Sequence, residues 1–163
     1  MIVRRATHED LDAAARTVAA VAEEDFLGAQ PPVDIDDRVG RFRELLERGD
    51  PAAMWVLEDD GGEVVGHAAV MEGVPGVLSL GMAILAPARG RGGGRALLHA
   101  AQEHARSSGA HKISLEVWTD NARAISLYAA AGFEVEGLRR DHYRRRDGRL
   151  RSTLLMAWRA DHG

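Results

Sequence analysis

The sequence predicts an α/β protein, because short β-rich runs alternate with helical segments along the whole chain, glycine and proline punctuate the junctions, and 163 residues suit one compact domain. A composition of 45% hydrophobic and 28% charged residues is that of a folded globular protein. The expected domain spans residues 1–160.

Ile2 to Arg5 reads as a first strand. Thr7 followed by Asp10 resembles an N-terminal cap for a helix reaching about Asp25. Gly28 and Pro31-Pro32 then impose a loop over 26–34, before Val39, Phe42, Leu45 and Leu46 recur at helical spacing. Met54 to Glu58 and Val64 to Met71 form a hairpin around Asp59-Asp60-Gly61-Gly62. Val77 to Leu85 is the next strand, and Gly92 to Ser108 a helix whose apolar face carries Leu97, Leu98, Ala101 and Ala105, with Gly109 placed to end it. Ile113, Leu115 and Val117 alternate in a further strand. Asn121 caps a helix over 122–131 that Gly132 terminates, and 133–146 with 149–158 form a last hairpin around Asp147-Gly148.

Several function classes drop out. The chain has no cysteine, which excludes thiolate metal sites, disulfides and a cysteine nucleophile. A net charge of -4 offers no global attraction to nucleic acid or an anionic membrane. Met1 leads straight into Ile2-Val3-Arg4-Arg5 rather than an apolar leader, so a cytoplasmic protein is expected. His99 and His104 are poorly spaced for joint ligation, and no metal is expected. Ser79 lacks the glycine that a hydrolase elbow needs two residues before it.

Residues 89–94, Arg-Gly-Arg-Gly-Gly-Gly, stand between a strand and the first turn of a helix. A helix start exposes unpaired N–H groups and a partial positive charge, and glycine lets phosphate oxygens approach the backbone. Arg89, Arg91 and Arg95 add full charges. The turn lacks the Lys-Ser/Thr of a P-loop and the final glycine of a dinucleotide fingerprint, which disfavours ATP and NAD. Taken alone, the same glycines also suit plain strand-to-helix packing.

The strand ending Gly81-Met82-Ala83-Ile84, with Arg89, Gly92 and Gly94 meeting the pattern Q/R-x-x-G-x-G/A, resembles the acetyl-CoA motif of the GNAT superfamily of N-acetyltransferases. Downstream, Asn121-Ala122-Arg123-Ala124-Ile125-Ser126-Leu127-Tyr128 and Ala131-Gly132-Phe133 resemble its second signature. The resemblance runs over nearly the whole chain and implies a GNAT fold: a central mixed, mostly antiparallel twisted sheet flanked by about four helices. It implies acetyl-CoA as cosubstrate, with Met82 and Ile84 presenting backbone to the pantetheine arm and the thioester. The turn Arg89, Gly90, Arg91, Gly92, Gly93, Gly94 and Arg95 would cradle the pyrophosphate, with Asn121 near the cofactor arm and Tyr128 near the sulfur. A backbone N–H near Ile84 is the expected oxyanion contact and Tyr128 the expected general acid.

The fourth strand carries no carboxylate, so the base is open: Glu72 is the named candidate, with His67, Glu116 and a water relay as alternatives. The lack of an obvious base favours an α-amine acceptor, which loses its proton more readily than a lysine amine. The segment 132–156 is similar to bacterial members that acylate amino acids or small amines. A protein N-terminal acetyltransferase is the nearest rival, and a non-catalytic CoA- or nucleic-acid-binding module the alternative of another class. The arginines at 139, 140, 144, 145, 146, 149 and 151 read as a solvated, partly Asp-paired ribbon. The resemblance also admits a homodimer.

Overall fold

The computed structural model describes residues 1–160. Its strands are β1 (Ile2–Arg5), β2 (Ala53–Glu58), β3 (Val64–Val74), β4 (Val77–Ile84), β5 (Lys112–Trp118), β6 (Glu134–Arg144) and β7 (Leu150–Arg159). Its helices are α1 (Leu11–Ala22), α2 (Ile35–Arg48), α3 (Gly93–Ser108) and α4 (Ala122–Ala130). The strands form one sheet in the order β1-β2-β3-β4-β5-β7-β6, antiparallel except between β4 and β5. This is the α/β architecture, with a mixed, mostly antiparallel sheet and four helices, that the sequence predicts.

Period-two alternation sorts the strand side chains between two cores. Trp55, Leu57, Ala68, Val70, Leu78, Leu80, Ile113, Leu115 and Val117 face α3 and α4, where Leu97, Leu98, Ala101 and Tyr128 meet them. Met54 and Ala69 face the opposite way, toward α1 and α2, where Leu11, Ala14, Ala15, Val18 and Phe42 pack. Because helices cover both faces, Ala53 to Leu57 is buried without interruption.

Several boundaries differ from the sequence reading. A 3-10 turn (His8–Asp10) precedes α1, which ends at Ala22, three residues early. Asp10 is buried and holds the Thr7 N–H at 2.7 Å and two Arg4 guanidinium nitrogens at 2.8 Å each. Asp25, the expected helix end, has φ 60 and turns the chain away. Helix α2 starts four residues before Val39, at Ile35, because Asp34 Oδ1 accepts the Asp37 N–H at 3.0 Å and so caps it. Strand β3 runs three residues past Met71, into a tight hairpin with β4.

The feature that positions the site is a gap in the sheet. Strands β4 and β5 pair over only Val77–Ser79 and Lys112–Ser114. Beyond that β4 continues to Ile84 and β5 to Trp118 without a shared ladder. Two parallel strands that diverge leave an opening through the sheet, with unpaired backbone along each rim.

Candidate active site

A cleft of about 770 Å³ occupies this gap. Residues 79–84 of β4 form one wall and Glu116, Val117 and Trp118 of β5 the other. Gly90, Gly92, Gly94 and Arg95 line one end, Asn121, Ala124, Leu127 and Tyr128 of α4 line a side, and Phe26, Leu27, Tyr143 and Arg145 border the opposite end.

The rim of β4 offers backbone hydrogen-bonding groups. Leu85 N–H bonds to the Val65 carbonyl at 2.9 Å, so alternation turns the N–H and C=O of Ile84 and Met82 the other way, toward the cleft. The Ile84 carbonyl accepts Arg89 Nε at 2.8 Å, while its N–H is left facing the gap.

The glycine turn provides the second set. Gly90 and Gly92 have φ of 73 and 88, the left-handed region that lets the chain reverse from β4 into α3. A side chain built at either would meet no atom within 4 Å, so the space above the turn is open. The first backbone bond of α3 runs from Ala96 N–H to the Gly92 carbonyl at 3.1 Å, which leaves the preceding N–H groups directed outward. Gly93 and Gly94 are in addition required by packing. A Cβ on Gly93 would overlap Leu57 Cδ2, and one on Gly94 would stand 2.8 Å from Leu127 Cδ2.

The three arginines of the turn part ways. Arg89 is engaged internally, with Nε on Ile84 and both terminal nitrogens on the Glu24 carboxylate at 2.7 and 2.9 Å. It locks the turn to the end of α1, and it lowers the Glu24 pKa. Arg91 points away from the cleft toward Asp60, 3.5 Å distant. Arg95 lines the cleft, is exposed and forms no ion pair with any described residue.

Asn121 and Tyr128 come together on the cleft side of α4. Asn121 Oδ1 caps the helix by accepting the Ala124 N–H at 3.3 Å, which leaves its amide nitrogen to the cleft. Tyr128 is buried against Phe133, and burial pushes its pKa up to about 12.

The candidate bases separate clearly. Glu72 is not in the cleft: its carboxylate accepts the Gly76 N–H at 2.7 Å and stabilises the exposed β3–β4 turn. The sequence could not reveal this, because it depends on β3 running on past Met71. His67 is buried in a neighbouring groove, and burial followed by the Arg38 charge brings its pKa down to about 4. Glu116 lines the cleft. Its Oε2 accepts from Tyr143 OH at 2.6 Å and Thr153 Oγ1 at 2.9 Å, and its Oε1 accepts from Arg139 at 2.7 Å. Burial, then the bond to Glu116, raises the Tyr143 pKa. Tyr143 and Thr153 are absent from the sequence reading of the site, since the β5–β7 register brings Thr153, and the β6–β7 register Tyr143, to Glu116.

The arginine-rich hairpin is tied down by acids and carbonyls. Asp25 receives Arg145 at 3.1 Å, Arg149 at 3.2 Å and Arg151 at 3.2 Å. Arg145 also donates to the Gly28 carbonyl at 3.0 Å. Arg145 and Arg151 stand over the Trp118 ring, 5.0 and 4.2 Å from its centre. These contacts clamp the α1–α2 loop against the hairpin at one end of the cleft.

Among the described residues no group of three or more His, Cys, Asp or Glu side chains could hold a metal ion. No described helix is long and apolar enough to cross a membrane.

The match to known proteins agrees with this geometry. Residues 16–133 match the family model of the acetyltransferase (GNAT) family. The chain belongs to the GNAT family of acetyltransferases. A Mycobacterium tuberculosis protein described as an uncharacterised N-acetyltransferase is 32% identical over 133 residues, 75% of this chain and 84% of the relative. The crystal structure of a ribosomal-protein-alanine N-acetyltransferase from Brucella melitensis superposes with a TM-score of 0.85 at 28% identity, covering 98% of this chain and 100% of that one. A GNAT superfamily phosphinothricin acetyltransferase from Sinorhizobium meliloti, solved with acetyl-CoA, shares the fold with a TM-score of 0.85 at 22% identity, covering 99% of this chain and 89% of that one. As a GNAT acetyltransferase the chain is an enzyme that uses acetyl-CoA as acetyl donor and an amine as acceptor.

Proposed function

We propose that this GNAT enzyme acetylates a primary amine of an amino acid or other small molecule by direct attack, with donor and acceptor bound together. The observation that carries the reading is one cleft passing through the sheet at the β4–β5 gap, with the glycine turn and Tyr128 on the α3–α4 side and Glu116 on the other. Two substrates entering from opposite faces meet at the rim of β4. A covalent acetyl-enzyme on sulfur is excluded, because the chain has no cysteine.

On the donor side, the N–H groups of residues 92–95 and the Arg95 side chain bind pyrophosphate oxygens, and the rim of Met82 and Ile84 pairs with the pantetheine amides. The Ile84 N–H receives the charge that develops on the acetyl oxygen, a contact typically worth about 3 kcal/mol. The Tyr128 phenol, protonated throughout the working pH range at a pKa of about 12, donates to the departing sulfur. A thiol has an ordinary pKa of about 8.5. Full transfer from so weak an acid is uphill until the sulfur carries charge in the same dry site, so the phenol acts as a hydrogen-bond donor that completes transfer late.

On the acceptor side, the Tyr143–Glu116 pair removes the amine's proton. The amine gives its proton to the Tyr143 oxygen as Tyr143 passes its own to Glu116 Oε2, across 2.6 Å. Arg139 and Thr153 hold the carboxylate in register for this step.

A second reading is acetylation of a protein N-terminal α-amine, favoured by the full-length likeness to the Brucella ribosomal-protein-alanine enzyme. Thermal stabilisation by acetyl-CoA against ATP and NADH, followed by thiol release with amino acids, polyamines and short peptides, tests both. Selective stabilisation by acetyl-CoA and turnover of small amines is the expected result. Turnover of peptides alone establishes the second reading, and no stabilisation by acetyl-CoA overturns both.

A further inference from the structure

A second groove of about 500 Å³ opens between α2 and the β3–β4 hairpin, and it joins the cleft along residues 79–83 and at Leu27 and Gly28. It lies on the α1–α2 face of the sheet, the face opposite the glycine turn. Arg38, Arg41, Arg48 and Glu44 line it beside Phe42, Leu45 and His67. Two of the arginines are occupied: Arg41 pairs with Asp37 at 3.0 Å, and Arg48 reaches Met71 Sδ at 3.2 Å.

Arg38 is different. Its Nε is buried with no hydrogen-bond partner, and its guanidinium forms no ion pair with any described residue. The ring of Phe42 lies 5.9 Å from its central carbon, which fixes the approach of the side chain. Nearby, His67 is 5% exposed and its Nδ1 also has no partner. It is held edge-on to Phe42 at 5.1 Å. Two unsatisfied buried polar groups facing one groove depart from the ordinary satisfaction of buried polar atoms. An unpaired guanidinium partly removed from water is a standing cost to the fold, and a planar oxyanion relieves it best.

We propose that this groove binds a carboxylate carried by the acceptor, with Arg38 as the residue that reads it and His67 as a polar partner at the floor. The inference rests on the acetyltransferase reading and names its acceptor class: an amine with a carboxylate within reach, either a free amino acid or a peptide with an acidic side chain near its N-terminus. His67 stands opposite Ala83 in the β3–β4 register, one residue from the Ile84 rim. A carboxylate held there leaves the amine of a small acceptor at the thioester end of the cleft.

The test compares L-amino acids with their amides, and peptides beginning with Glu with those beginning with Gln, by thiol release at saturating acetyl-CoA. The wild type is expected to favour the carboxylate member of a pair by about 10- to 100-fold in kcat/KM, the range of one charge-assisted hydrogen-bond pair. Arg38→Met removes that preference through the acceptor KM, leaves the acetyl-CoA KM unchanged and raises Tm, whereas a purely structural arginine would lower Tm on removal. Arg38→Lys retains part of the preference. Preference in the amino-acid pair alone identifies free amino acids, and in the peptide pair alone identifies acidic N-termini. Equal rates within both pairs, or an Arg38→Met loss equal for both members, overturns the proposal. If no probe reacts, melting of the acetyl-CoA-bound protein with the same pairs decides: absence of Arg38-dependent stabilisation by the carboxylates overturns the subsite. Failure of acetyl-CoA itself to stabilise overturns the acetyltransferase reading instead.

Discussion

On the proposed donor side of the cleft the groups open to a ligand are mostly backbone, and nearly all of them come from residues 82–95, one strand end and one turn. On the proposed acceptor side they are side chains, and their positions depend on partners far away in sequence: Arg145 on Gly28, 117 residues apart, and Tyr143 on Glu116, 27 apart. Backbone recognition needs only glycine where φ must be positive and a helix that starts on time. Side-chain recognition needs a register between strands and a clamp between loops. The two halves therefore differ in what a mutation can do: single changes on the donor side act through local geometry, and changes on the acceptor side act through assemblies.

Tyr128 stands where the two halves meet, and the largest effect is expected there. Tyr128→Phe keeps the buried ring and its contact with Phe133 and removes only the hydroxyl. Turnover should fall by about 10²- to 10⁴-fold, the usual scale of a general acid, with the acetyl-CoA KM changed by less than a few-fold. Steady-state thiol release checks this, and unchanged kcat removes Tyr128 from the chemistry.

His67 gives the next effect, this time in stability. Its folded pKa of about 4 lies below the ordinary 6.5, so between those values the unfolded chain binds a proton that the folded one does not. Stability is then complete above about pH 6.5 and declines as pH falls toward 4, by at most about 3 kcal/mol at 1.36 kcal/mol per unit. Asp10, held low first by its bond to Arg4, adds its own loss at still lower pH. His67→Phe should flatten the upper part of the curve in denaturant titrations between pH 4 and 7. An unchanged slope would mean that His67 is solvated in the fold.

Asp25→Ala probes the acceptor clamp directly. It removes the carboxylate that pairs with Arg145, whose side chain is 6% exposed, while Arg149 keeps Asp147 and Arg151 keeps Asp120. We expect a loss of about 1–3 kcal/mol of stability and a lower kcat/KM for the amine, with acetyl-CoA affinity little altered. Equal losses for both substrates would show that the clamp serves the whole cleft.

The contrast also explains what was legible in the sequence. The glycine turn, Asn121 and Tyr128 were readable because their spacing is local: Gly92 sits at the helix start, and two turns of α4 bring Asn121 and Tyr128 to one side. The order of strands followed from alternation and turn residues. The pairing of Arg89 with Glu24, 65 residues away, was not readable, since nothing local announces that this charge is consumed inside the protein. The sequence reading names Glu72 ahead of Glu116, although each is an acid beside an apolar run. The gap between β4 and β5, set by where three residue pairs of ladder stop, puts Glu116 on the cleft, while the extended β3–β4 hairpin turns the Glu72 carboxylate to the Gly76 N–H. Tyr143 escaped notice because irregularities in β6 around Asp141, at φ 47, shift its register.

The sharpest form of the contrast uses one helix against itself. Gly92 and Gly109 bracket α3, with φ of 88 and 78, and an added Cβ at either meets nothing within 4 Å. Alanine at each position should therefore carry the same left-handed strain, about 1–2 kcal/mol of stability, without a clash. Only Gly92 stands at the N-terminal end, where the open N–H groups face the cleft; Gly109 closes the C-terminal end by donating to the Ala105 and Arg106 carbonyls. The two variants should thus melt alike, while Gly92→Ala alone weakens acetyl-CoA binding, by about 3- to 10-fold for the loss of close approach at one phosphate contact. Titration of both variants with acetyl-CoA, monitored by Tm, separates strain from recognition. Equal affinity in the two would move the pyrophosphate off the backbone of the turn and onto the side chains of Arg95 and Arg123, which also line the cleft.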